Sequence, residues 1–237
     1  MVNASKQIEA PDLKKFSLGE FAPGMVIAAS SELKQEALAA YKKSSGEIQK
    51  FLGQNPNFMT SIVPVRVSLF APGTIKRVAR NSKIFGRGPA IAERGALVDS
   101  VGEELLRHSQ DVIVEKGGLF FVKTGKPRRI SIFAKDSVFS GRIAIEIDPT
   151  DTPCGVATQK PGRGRLYSHE EPDGLVVVAT SASLAEAASY ALLELVKDEN
   201  TLSRALDMAR KTRGIKGVLI LKDDKMAVMG KIKIISI

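Results

Sequence analysis

Hydrophobic positions along the chain alternate between strand-like runs and helical stripes. "VIAAS" at 26–30 reads as a short strand. In the next segment Leu33, Ala37, Leu38, Tyr41, Ile48, Phe51 and Leu52 recur at roughly helical spacing. "NPNF" ends that helix, because the residue before a proline is pushed out of the helical region. "IVPVRVSL" is extended, with its proline marking an edge or an irregular stretch. A second helix runs from about Thr74 to Phe85, and "GRGP" interrupts it. Pro89 is then placed to open a further helix through "AIAERGALVDSVGEELLRH".

Three apolar runs follow: "DVIVEKG", "GLFFVKTG" and "RRISIFAKD". Their glycine-rich punctuation predicts an antiparallel meander. "GRIAIEI" and "GLVVVAT" are strands by β-branched content and flank a loop over 155–174. Two helices come next, "SLAEAASYALLELVKD" and "NTLSRALDMARKTRG", with Gly214 as the stop of the second. "KGVLILKDDKMAVMGKIKIIS" ends the series as a hairpin turning at Lys-Asp-Asp-Lys. This hairpin either completes its own sheet or meets another subunit, so a homo-oligomer is open.

The second half thus reads strand, strand, helix, helix, strand, strand, and the first half follows nearly the same order. Paired strands and paired helices predict an α+β fold with antiparallel sheets built from a duplicated ββααββ unit. The halves cover about 16–135 and 136–237. No Gly/Ser/Pro linker separates them, so 1–237 is expected to be one domain.

Composition narrows the function. Of 237 residues, 43% are apolar and 26% charged, the balance of a globular chain able to bury a core. No apolar stretch approaches the ~20 residues of a membrane span. One cysteine, Cys154, excludes an internal disulfide and fits the cytoplasm. The net charge of +9 invites a nucleic-acid reading, but the cations are spread over four separate places and tryptophan is absent. Dispersal of this kind argues against a nucleic-acid partner; a surface for a small phosphorylated ligand is at least as good a reading, and solvated lysines on helix faces account for most of the cations.

The candidate chemistry lies in "GVATQKPGRGRLYSHEEPDG", residues 155–174. Lys160, Arg163 and Arg165, with Gly162 and Gly164 between them, could grip an anion through charge and exposed amides. An ordinary solvated connection is the other reading. His108 and His169 have no second ligand at zinc spacing. Ser183 and Glu186 carry the S-x-x-E spacing of a capping box.

Six segments in order, "NPNFMTSIVPV", "GPAIAERGALVDSVGEELL", "DVIVEKGGLFFVKTGK", "FSGRIAIEIDPTDTPCGVAT", "SLAEAASYALLE" and "GVLILKDDKMAVMGKIKI", resemble an uncharacterised prokaryotic family related to the ApbE enzymes. Those enzymes are FAD:protein FMN transferases. The resemblance covers nearly all of the chain after about residue 15 and implies a T-fold-type, ApbE-like α+β architecture. It also implies FAD and a magnesium ion as cofactors. In the enzymes the metal is held partly by an Asp and a Thr four residues apart at a helix start, and Glu186 and Tyr190 stand at the matching positions here. Where related chains carry Gly-Gly-Asp, this one has Gly117, Gly118 and Leu119. The phosphate-lining run keeps Thr158 and the family aspartate, Asp173, but has Gln159 and Lys160 in place of serines. The cofactor-binding candidates are therefore Thr158, Lys160, Arg163, Arg165 and Asp173, and the metal candidate is Glu186. No catalytic residue is assigned. The departures point to an altered phosphate- or flavin-like ligand-binding or accessory protein. The alternatives are a magnesium-dependent FAD:protein FMN transferase and a sulfur-assimilation factor, the last requiring a reactive Cys154.

Overall fold

The computed structural model describes residues 7–134, 137–159, 172–197 and 199–237. Apolar runs that never alternate with polar residues mark strands buried on both faces. Val112 and Val114 point one way from their strand and Ile113 the other; Val177 opposes Val176 and Val178; Val218 and Ile220 oppose Leu219 and Leu221. One set packs on the helices, the other on a second, smaller sheet.

The strands are β1 (Lys14–Ser17), β2 (Met25–Ala29), β3 (Val112–Lys116), β4 (Leu119–Lys123), β5 (Arg128–Ser131), β6 (Ile143–Ile147), β7 (Cys154–Gln159), β8 (Gly174–Ala179), β9 (Ile215–Lys222), β10 (Lys225–Gly230) and β11 (Lys233–Ser236). The helices are α1 (Lys34–Gln54), α2 (Gly73–Ile84), α3 (Glu93–Leu105), α4 (Ala182–Leu195) and α5 (Glu199–Lys211). Eight strands form one sheet in the order β1-β2-β3-β4-β7-β8-β9-β10, and three form another in the order β11-β6-β5. Every adjacent pair is antiparallel. The α+β class with antiparallel sheets therefore holds.

Two expectations are corrected. β5 does not extend a meander from β4; it pairs with β6, and β4 takes β7 as its neighbour, Val122 opposite Cys154. The span 155–174 is not loop throughout, since β7 occupies its beginning and pairs with β8 from Gly155↔Ala179 to Gln159↔Leu175. "GRIAIEI" accordingly lies in the small sheet and "GLVVVAT" in the large one. The C-terminal hairpin completes its own sheet, with β9 between β8 and β10 and β10 at the edge.

Two apolar layers sandwich the large sheet. On the helix side, Val98, Val101 and Leu105 of α3 and Leu184, Ala188 and Leu192 of α4 meet Phe121, Val177 and Val218. On the other side, Ile130, Ile143, Ile145 and Ile147 of the small sheet meet Phe120, Val156, Val176 and Leu219. A third cluster, including Ile75, Val78, Ala96 and Ala187, fills the space among α1, α2, α3 and α4. Small residues let helices approach closely: a Cβ on Gly95 of α3 would stand 2.5 Å from the Ala182 carbonyl oxygen of α4. No helix among the described residues is long and apolar enough to cross a membrane.

Candidate functional site

α3 and α4 hold each other by a reciprocal exchange of carboxylates. Asp99, in the middle of α3, accepts from the Ala182 and Ser183 amides at the start of α4 at 2.7 and 3.0 Å. Glu186, on the second turn of α4, accepts from the Gly95 amide at the start of α3 at 2.7 Å. A helix start has unpaired N–H groups and a positive dipole end, so an anion there is stabilised. Both carboxyl groups are fully buried. Burial pushes Asp99 up to about 6, against the pull of Arg77 and the two amides. Burial likewise pushes Glu186 up to about 7, against Arg94 and the Gly95 amide.

Arg94 turns this structural contact into a candidate site. Its Nε donates to Glu186 Oε1 at 2.9 Å, and its Nη2 donates to the Tyr190 hydroxyl at 3.1 Å. With its side chain 41% exposed, the guanidinium lies at the surface while its carboxylate partner is wholly enclosed. Nη1 faces the β3–β4 turn, 3.7 Å from where a Cβ on Gly117 would stand. Lys116 lies at the same turn, and its pKa is lowered by burial and by the Arg94 charge.

That turn is shaped for close approach. Gly118 has φ +84°, and a Cβ there would lie 2.6 Å from the Thr158 carbonyl oxygen. Its amide donates to Glu115 Oε1 at 2.9 Å, and its carbonyl accepts from the Thr158 amide and hydroxyl. Gln7 donates to the same hydroxyl at 2.8 Å. One residue further along β7, Gln159 donates to Ser189 Oγ of α4 at 3.1 Å. Arg94, Glu186, Ser189, Tyr190, the Gly117–Gly118 turn and the end of β7 thus form one connected arrangement.

Of the residues singled out from the sequence, Thr158 and Glu186 fall within it. Lys160, Arg163 and Arg165 lie outside the described residues, on the segment that continues from β7. Asp173 makes its bonds elsewhere: its Oδ2 accepts from the Asp223 amide at 2.6 Å and its own amide donates to Leu221, tying β8 to the β9–β10 turn. No hydrogen bond joins Asp173 to Thr158 among the described residues. Leu119 is buried in the helix-side layer.

The capping box is not formed. Ser181 caps α4, accepting from the Leu184 amide at 3.2 Å, while the Ser183 hydroxyl donates to the Ala92 carbonyl. Glu186 reaches across to α3 instead of back to its own helix. Arg94, Asp99 and Ser189 are not among the residues singled out, and Gln159 enters there only as a replacement for a serine. Arg94 carries no local signal, because its partner is 92 positions away.

A magnesium ion does not fit these residues. It requires free oxygens near octahedral geometry. Both Glu186 oxygens are already taken, Oε1 by a cation and Oε2 by an amide, and the Tyr190 hydroxyl accepts from the same cation. Among the described residues no three His, Cys, Asp or Glu side chains gather in a way that could hold a metal. Cys154, 1% exposed between the two sheets, has its thiol pushed up to about 12 by burial. A nucleophilic role needs an accessible thiolate, and this environment withholds one.

Comparison with known proteins agrees with the architecture. The structure resembles the flavin transferase ApbE from Vibrio cholerae with a TM-score of 0.61 at 16% identity, covering 94% of this chain and 97% of that one. It also resembles the ApbE protein from Thermotoga maritima, with a TM-score of 0.58 at 13% identity over 91% and 97% of the two chains. A UPF0280 protein of Methanopyrus kandleri is 32% identical over 209 residues, spanning 85% of this chain and 84% of its own length. One from Methanocaldococcus jannaschii is 27% identical over 195 residues, 80% and 79% of the respective lengths. The model of the family described as AbpE bacteria matches residues 10–226. With that match spanning nearly all of the chain, the protein belongs to this ApbE-related family.

Proposed function

We propose that the chain binds a phosphorylated, flavin-like small ligand without a metal ion, and that Arg94 supplies the positive charge assigned to magnesium in the ApbE enzymes. The observation that carries this reading is the Glu186–Arg94–Tyr190 arrangement, in which the residues at both positions matched to metal ligands bond the same guanidinium. A guanidinium fits phosphate through paired N–H donors, and Nη1 of Arg94 is committed to neither Glu186 nor Tyr190. Lys116 adds a second charge, and the Gly117–Gly118 turn lets backbone come close. In this reading Lys160, Arg163 and Arg165 extend the cationic rim, Thr158 fixes the turn, and Asp173 secures the neighbouring hairpin.

The strand order supports a duplicated ββααββ unit of the T-fold type within one domain: β1-β2, helices, β3-β4, then β7-β8, helices, β9-β10. The single cysteine is consistent with a cytoplasmic setting.

Titration calorimetry with FMN and FAD, in EDTA and again in magnesium, tests the binding reading. The expected result is saturable binding of equal strength in both buffers, weakened about tenfold or more by Arg94→Gln. Binding that requires magnesium would overturn it in favour of the second reading, FMN transfer to a threonine of a target protein, which the fold likeness to flavin transferases favours. No binding in either buffer would overturn both.

A further inference from the structure

A separate surface carries its own signal. A groove of about 810 Å³ runs between residues 64–69 and one face of α2. Along its wall Val65 and Val67 turn inward onto the apolar cluster among the helices, while Arg66 and Ser68 turn outward. That alternation is the period of a β-strand. Yet the backbone N–H and C=O groups of Val65, Arg66 and Val67 hydrogen-bond to no described residue. This stretch is held by its side chains and leaves its backbone groups open.

The opposite wall is cationic. Lys76, Arg80 and Lys83 stand at i, i+4 and i+7 on α2 and so share one face, and among the described residues no carboxylate lines the groove. Arg80, Lys83 and Arg66 form no ion pair with any described residue. Large apolar side chains are uncovered at both ends: Ile62 is 84% exposed, Leu69 86% and Phe70 96%. Large apolar side chains exposed to this degree beside a groove mark an interaction surface.

We propose that this groove receives an acidic, extended segment of a partner protein, which adds as a strand to Val65–Val67. Its carboxylates face Lys76, Arg80 and Lys83, and its apolar residues cover Leu69 and Phe70. Strand addition supplies affinity through backbone hydrogen bonds and specificity through alternate side chains. A free phosphate compound would use the cations but neither the open backbone nor the apolar ends. A second copy of this chain meeting the face symmetrically would set cations against cations.

The probe is an end-blocked, fluorescein-labelled peptide of alternating Glu and Val, about seven residues long to span the groove. Its binding to the full chain is read by fluorescence anisotropy, and backbone protection by hydrogen exchange. Saturable binding is expected, with slowed exchange at Val65–Val67. The alternating Lys–Val peptide and an N-methylated Glu–Val peptide should each bind about tenfold or more weakly. Arg80→Glu with Lys83→Glu should weaken the Glu–Val peptide similarly; both positions are exposed, and Arg66→Glu repeats the test from the other wall. Equal affinity for the N-methylated peptide would overturn strand addition. Indifference to charge reversal, or displacement by inorganic tripolyphosphate or a single-stranded oligonucleotide at like concentration, would overturn the acidic-peptide assignment. So would a concentration-dependent dimer that occupies the groove and excludes the peptide.

Discussion

Asp99 and Glu186 occupy mirrored places in the α3–α4 contact, yet they do different work. Each is a buried carboxylate that holds the first turn of the opposite helix. Asp99 spends both oxygens on amides, and its cation, Arg77, stands off at 3.6 Å with a side chain 22% exposed. Glu186 gives one oxygen to an amide and the other to an arginine that is 41% exposed. A carboxylate tied to two amides fixes a helix. One tied to an exposed guanidinium also aims a charge at solvent and whatever ligand arrives from it. The difference separates a fastening from a site.

The largest effect expected on that contrast comes from Asp99→Ala. It strands two buried amides and takes from Arg77 one of its two carboxylate partners, leaving Glu103, and should cost about 3 kcal/mol in urea unfolding. Next is the pH dependence shared by the two acids. Both are raised by burial above their ordinary values of 3.8 and 4.5, so the folded chain retains protons that the unfolded chain releases. Their contribution is full below those ordinary values and is lost as pH rises through about 6 and about 7. Stability should therefore fall as pH rises across this window, read as a drop in the urea midpoint between pH 4 and pH 8. Asp12 acts in the opposite direction: Arg128 holds its carboxyl well below the usual range, so its contribution is present above 3.8 and fades in strong acid.

Glu186→Gln should cost only about 1 kcal/mol near neutrality, since one acceptor remains and the removed charge was already disfavoured by burial. It should also erase the upper part of the pH slope, which Asp99→Ala would leave intact. Smallest is Arg94→Gln, expected to change stability by under about 1 kcal/mol because the guanidinium is well exposed. If that variant unfolded the protein as readily as Asp99→Ala, the two carboxylates would be alike and Arg94 would be a fastening too.

Physical reasons decide which parts were legible in the sequence. β3, β4, β8 and β9 stood out because burial on both faces demands continuous apolar runs. β7 did not, since "CGVATQ" is small and partly polar, and its place between β4 and β8 depends on partners far along the chain. Within the site, Glu186 and Thr158 were found through resemblance. The spacing of Ser183 and Glu186 suggested a local cap, but the first helical residue is Ala182, which leaves that role to Ser181. Arg94 and Asp99 gain their meaning only when α3 lies across α4, and no local pattern records a contact of that range.

β6 sits between β5 and β11 in the small sheet, pairing with Arg128–Ser131 on one side and Lys233–Ser236 on the other. During synthesis its first neighbour precedes it, but the second is made long after. At ~5–20 residues per second, the interval from Ile147 to Lys233 lasts about 4 to 17 seconds. For that time Ile143, Ile145 and Ile147 belong to an open-edged strand beside a nascent chain. A translation pause after residue 147 would lengthen this exposure, whereas one after Ser236 would not.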